Sequence, residues 1–124
     1  MTKRDQRKLQ RLLKVTDAAQ KAAQARLLET TKDERACQAA IDQLDEDRVE
    51  IMSSLQISDK TSAAQVVVDA GWLRWAEKQR GLLNVSLARA RAQAMRGREE
   101  AKRTFGRHQA AAELVKRAIS KQRR

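Results

Sequence analysis

The sequence has no proline, no tyrosine, one cysteine, one histidine and four glycines among its 124 residues, and aromatic residues make up 2%. Each shortage excludes something. Without proline, no X–Pro step ends a helix or shapes a turn. A single cysteine, Cys37, rules out an internal disulfide; beside Ala36 and Ile41 it reads as a small apolar residue. Cys37 and His108 have no partners at ligand spacing, so no metal site is expected. No Gly-rich phosphate loop and no nucleophile–base set is present, so neither an enzyme nor a bound cofactor is expected. Mean hydropathy is −0.73, and no apolar run approaches the ~20 residues of a membrane span. The opening Met1–Arg7 leads into no apolar stretch of the kind a secretory signal needs. A cytoplasmic protein without membrane insertion is therefore expected.

What is abundant is Ala, Arg, Gln, Glu and Lys, the composition of long helices. One short break interrupts them, Gln56-Ile57-Ser58-Asp59-Lys60-Thr61, where polar side chains compete for backbone hydrogen bonds. Ser62 and Gln65 then fit a capping box, with Asp59 or Thr61 as alternative caps. The expected fold is all-α: an elongated antiparallel two-helix coiled-coil hairpin forming a single domain over 1–124. Helix one should span about 3–55, the bend 56–61 and helix two about 62–120.

Two seams can be traced by three-four stepping. The first runs Leu9, Leu12, Thr16, Ala19, Ala23, Leu27, Thr30, Glu34, Cys37, Ile41, Leu44, Arg48, Ile51, Leu55. The second runs Trp72, Ala76, Gln79, Leu83, Leu87, Ala90, Ala94, Gly97, Ala101, Phe105, His108, Ala112, Val115, Ile119. Consecutive steps of four at Ala19–Ala23–Leu27, Gln79–Leu83–Leu87 and Gly97–Ala101–Phe105 imply three stutters. Folding about residues 58–59 sets Leu44 against Leu73, Ile41 against Ala76, Leu27 against Ala90, Ala23 against Ala94, Leu12 against Phe105 and His108 against Leu9. Arms on the order of 80–90 Å follow from the helical rise. The tail Val115–Arg124 should project unpaired past the N-terminus. Gly81 and Gly106 suit local bending or a partner's close approach.

The net charge of +11 is uneven: +6 over residues 1–28, −4 over 29–88 and +9 over 89–124. A hairpin would gather the basic segments at its terminal end, where a field of one sign steers association with an acidic partner. Near the bend, Val66–Val68, Leu73, Trp75, Leu82 and Val85 exceed what one seam can bury. Such surplus on a thin rod marks a protein contact, for which tryptophan is the type enriched at interface hot spots; the alternative is that both Trp rings lie flat over the hairpin end and only cap the seam. Self-association through this surface is an allied expectation.

The step Trp72-Leu73-Arg74-Trp75, the Gln/Arg/Leu-rich run Gln79–Gln93 and the opening Lys8-Leu9-Gln10-Arg11-Leu12-Leu13 resemble the FliJ/YscO family. These are the stalk-like helical hairpins of flagellar and other type III export machines. The resemblance implies a non-enzymatic protein whose terminal end enters a hexameric export ATPase ring and promotes its assembly. Arg7, Lys8, Arg11, Arg103, Arg107, Lys116 and Arg117 would make that contact. It implies that the bend end, with Ile41, Leu44, Trp72 and Trp75, meets the membrane export gate. It further implies contact with export chaperones and a place peripheral to the inner membrane when assembled. Two other readings compete. A pI near 10.7 favours phosphate contact with nucleic acid; against it, Phe105 is expected in the seam, which leaves bases nothing to stack on. A generic coiled-coil scaffold is the third.

Overall fold

In the computed structural model, which describes residues 2–57 and 62–122, the chain forms two helices, α1 (Lys3–Ile57) and α2 (Ala63–Gln122), packed as a two-helix hairpin. Their starts are set by local chemistry. The Asp5 amide donates to Thr2 Oγ1 at 3.3 Å, and Asp5 Oδ2 accepts from the Thr2 amide at 3.3 Å. This reciprocal box satisfies free donors of the first turn. The Thr2 hydrogen bonds hold the Asp5 carboxyl below its ordinary range. At α2 the Gln65 amide donates to Ser62 Oγ at 3.1 Å. Only half of the expected box forms, because the Gln65 amide group instead donates to Asp69 Oδ1 at 2.9 Å. Helix α1 runs two residues past its expected end, through Ile57, and residues 58–61, with the alternative caps Asp59 and Thr61, lie outside the described residues.

Contacts divide the chain into two units, Met1–Thr30 with Gln93–Arg124, and Thr31–Ala92. In the first unit the seam positions of α1 are 6, 9, 13, 16, 20, 23, 27 and 30, and those of α2 are 94, 97, 101, 104, 108, 111, 115 and 118, with Asp17 and Glu100 half-covered beside them. The stepping is an unbroken three-four alternation. The stutters expected at Ala23 and Ala101 are absent, because Leu13 and Gln20 take the places assigned to Leu12 and Ala19. Likewise Thr104, Ala111 and Ala118 displace Phe105, Ala112 and Ile119. Small side chains win these places because the backbones approach closely: a Cβ on Gly97 would sit 3.4 Å from Leu27 Cδ1 and Thr30 Oγ1. Thr104 tolerates burial because its hydroxyl donates within the helix to Glu100 and Ala101 carbonyls at 3.0 and 3.1 Å. The tail is paired, contrary to the expected overhang: Ala118 is buried, and Val115, Ala118 and Ile119 line a groove with Gln6, Leu9 and Gln10.

In the second unit Ile41, Ala76, Leu87 and Ala90 are buried. The half-covered or buried positions of α2 here are 69–73, 76, 79, 80, 83, 87, 90 and 92, so Gln79, expected in the seam, and Arg80 beside it are both half-covered. Arg80 makes a two-point contact with Asp45, Nε–Oδ1 2.8 Å and an Nη2 hydrogen bond to Oδ2 at 3.2 Å. Arg91 reaches Glu34 at 3.6 Å and Gln38 at 3.3 Å, and Arg48 reaches Glu77 at 3.4 Å.

The register differs from the expected one. A fold about 58–59 sets Asp45 opposite Trp72 and Thr16 opposite Ala101. Their partners are Arg80 and His108, about one heptad further on. Apolar matching recurs at every seven-residue shift, so it selects the face but not the heptad. Ion pairs and hydrogen bonds occur at single positions and break that degeneracy. Arg80 holds the Asp45 carboxyl below its usual range, chiefly by the hydrogen bond, and Asp45 in turn raises Arg80. A lowered carboxyl contributes stability above its unfolded value and loses it as the folded group protonates. The contribution of this pair should therefore be complete above about pH 4 and disappear only as the pH falls well below that, at the acid limit. Thermal melts of Asp45→Asn and the parent should converge there and separate near neutrality; parallel curves at all pH values would contradict it.

Candidate functional site

The basic surface lies in the first unit, which holds 18 basic and 6 acidic residues, a formal +12; the second holds 9 and 10, a formal −1. Arg7, Lys8 and Arg11 on α1 are exposed, as are Arg103, Arg107, Lys116 and Arg117 on α2. Arg117 pairs with Glu113 at 3.6 Å, and Arg103 lies 3.8 Å from Glu100. Exposed pairs of this kind are worth little, so these cations remain available to an incoming anion. Phe105 is 47% exposed rather than seam-bound. Its neighbours in sequence include Lys102, Arg103 and Arg107, so the basic surface carries an aromatic ring after all.

His108 is half-buried at the seam, against Thr16 rather than Leu9. The Thr16 hydroxyl lies 3.0 Å from the Leu13 carbonyl oxygen and forms a hydrogen bond with His108 Nδ1, also at 3.0 Å. Nε2 then faces Asp17 Oδ1 at 3.8 Å. This is a structural contact that helps fix register.

The residues assigned near the bend separate into two kinds. Ile41 is 3% exposed and is part of the packing between helices, and Leu44 is half-buried. Neither presents a free surface. Trp72 is half-buried, whereas Trp75 is 52% exposed. The two rings touch at 6.1 Å between centroids, tilted by 46°, an arrangement aromatic pairs favour. Val67, Val68, Leu82 and Val85 are exposed on the same helix.

Sequence reasoning missed the Arg80–Asp45 clamp because Arg80 was read as lying outside the seam. Gly81 and Gly106, left open between bending and partner approach, would each place an added Cβ in open space, with no positive φ. Removing helix-interior glycine then gains helical propensity with nothing to clash. Gly106→Ala should stabilise the chain by about 1 kcal/mol, seen as a higher melting temperature by circular dichroism. A lowered one would show a backbone role for Gly106.

These features define a helical-hairpin protein whose candidate chemistry is surface recognition. Among the described residues no group of three or more His, Cys, Asp or Glu side chains is placed to hold a metal ion, and no helix is long and apolar enough to cross a membrane. No protein-family model, curated protein or solved structure matches the chain.

Proposed function

We propose that this chain is a non-enzymatic stalk-type component of a flagellar or related type III export apparatus. Its basic unit binds a hexameric export ATPase and promotes ring assembly. Its Trp72–Trp75 surface meets the membrane export gate, and export chaperones are further partners. In this role the protein is cytoplasmic and peripheral to the inner membrane. The observation that carries the reading is the partition of charge: a hairpin with +12 in one compact unit and −1 in the other suits two partners of different chemistry. The resemblance at Trp72–Trp75, Gln79–Gln93 and Lys8–Leu13 names the system.

The paired tail dictates the form of the test. Truncation after Glu113 would unpair Leu9 as well as remove charge, so charge reversal is the cleaner probe. The triple variant Arg11→Glu, Arg107→Glu, Lys116→Glu should keep its helicity and lose stimulation of the export ATPase, with affinity down about 100-fold or more, since rim charges act through steering and complementarity. An ATPase indifferent to the parent protein would refute the assignment.

The exposure of Phe105 beside Lys102, Arg103 and Arg107 favours a second reading, single-stranded nucleic-acid binding by stacking and phosphate contact. Binding that falls steeply with salt and weakens in Phe105→Ala, without any ATPase effect, would establish it instead.

A further inference from the structure

On α2, within the second unit, Val68, Gly71, Trp75, Lys78, Leu82, Val85 and Arg89 follow one another by steps of three and four. This is a second heptad stripe, offset from the buried positions Ala76, Leu87 and Ala90. Val68, Trp75, Leu82 and Val85 are all more than half exposed. Heptad order sustained over about 33 Å of helix is the pattern that a further helix reads by knobs-into-holes packing. Trp75 is its largest side chain, in ring contact with Trp72. Beside it Gly71 leaves a notch, since an added Cβ there meets nothing within 4 Å.

The charges along this stripe decide what fits. Arg74, Lys78 and Arg89 are exposed, and none pairs with a described acid, whereas Arg48, Arg80 and Arg91 are all engaged across the hairpin. Between residues 70 and 92, α2 has a single acid, Glu77, and Arg48 holds it at 3.4 Å. The unit as a whole has no excess of base, so this basic edge is a local arrangement. A copy of the same stripe laid parallel would set Lys78 against Lys78 and Arg89 against Arg89, which like-charge repulsion opposes.

We propose that this face of α2 docks one amphipathic helix of a partner protein, whose apolar seam packs on Val68, Trp75, Leu82 and Val85 and whose flanking carboxylates meet Arg74, Lys78 and Arg89. The proposal specifies the partner chemistry of the Trp72–Trp75 surface and rests on the export reading only for the name of that partner. If the ATPase is unaffected while the docking holds, the export reading alone falls; the reverse pattern removes only the docking.

The test uses the full chain and two synthetic four-heptad peptides with Leu at a and d, one carrying Glu and the other Lys at e and g. Binding is followed by tryptophan fluorescence and calorimetry. The Glu peptide should bind at least about tenfold tighter than the Lys peptide, as complementary flanking charges require. Trp75→Ala should weaken it about thirtyfold, the loss of one hot-spot anchor. Lys78→Glu with Arg89→Glu should reverse the preference, and because both side chains are exposed this variant serves even if Trp75→Ala unfolds. Equal binding of the two peptides, or an unaltered affinity in a folded Trp75→Ala variant, would overturn the proposal. So would sedimentation showing that the chain alone dimerises through Trp75, which would make a second copy the occupant.

Discussion

Ile41→Ala is expected to lower the stability of the protein by about 2–4 kcal/mol, the range for truncating a buried aliphatic side chain. Among the described residues Ile41 is the largest apolar side chain to fall below 5% exposure. It shares the second unit with the buried Ala76, Leu87 and Ala90. A two-helix unit has few such residues to lose, so one truncation removes a large share of its packing. Val49→Ala is the matched control, because Val49 is exposed and its loss should cost less than about 0.5 kcal/mol. Thermal and guanidinium unfolding followed by circular dichroism compare the two. Hydrogen exchange should show the loss of protection within residues 31–92. Equal effects of the two substitutions would show that the hairpin has no specific packing at Ile41.

Ala94→Leu should be damaging for the opposite reason. Ala94 has no exposed surface, and Ala23 in the same unit is at 1%. One turn further on, the Gly97 position already lies within 3.6 Å of the Leu27 backbone. Three further carbons at Ala94 have no void to enter, so the helices must separate or the side chain must leave its preferred rotamer. Overpacking of this kind costs about 1–3 kcal/mol. Helix propensity barely changes between Ala and Leu, so the loss reports packing alone. Ala110→Leu, at an exposed position of the same helix, should leave the unfolding midpoint within experimental error. If Ala94→Leu instead raised the midpoint, the close approach would be absent in solution, and the Leu27–Gly97 contact with it.

Both predictions concern places where short-range pattern and tertiary packing give different information. The face that α1 and α2 bury was legible because apolar residues recur at three and four. That pattern correctly marked Ala23, Ile41, Ala76, Leu87, Ala90 and Ala94. It failed where a large residue stood beside a small one. Stepping places Phe105 and Ile119 in the seam, whereas the structure buries Thr104 and Ala118, because close backbones admit only the smaller side chain. The basic residues of the candidate site were legible as composition, while the exposure of Phe105 among them was not. The second stripe on α2 was visible only as surplus apolar residues; its heptad order emerged once the covered positions were known.

By itself the sequence determined the helical class, the two long segments and the break between them, because these depend on local propensity, capping and the absence of proline. It also determined the strong basic bias, which is a matter of counting. The tertiary structure alone decided the register. Heptad stripes match equally well at every shift of seven residues, and only contacts between positions distant in sequence, Arg80 with Asp45 and Thr16 with His108, distinguish one shift from the next. It also decided which tryptophan faces outwards. Trp72 and Trp75 are one turn apart on the same helix and alike in propensity, and only the packed partner helix leaves one half-buried and the other exposed.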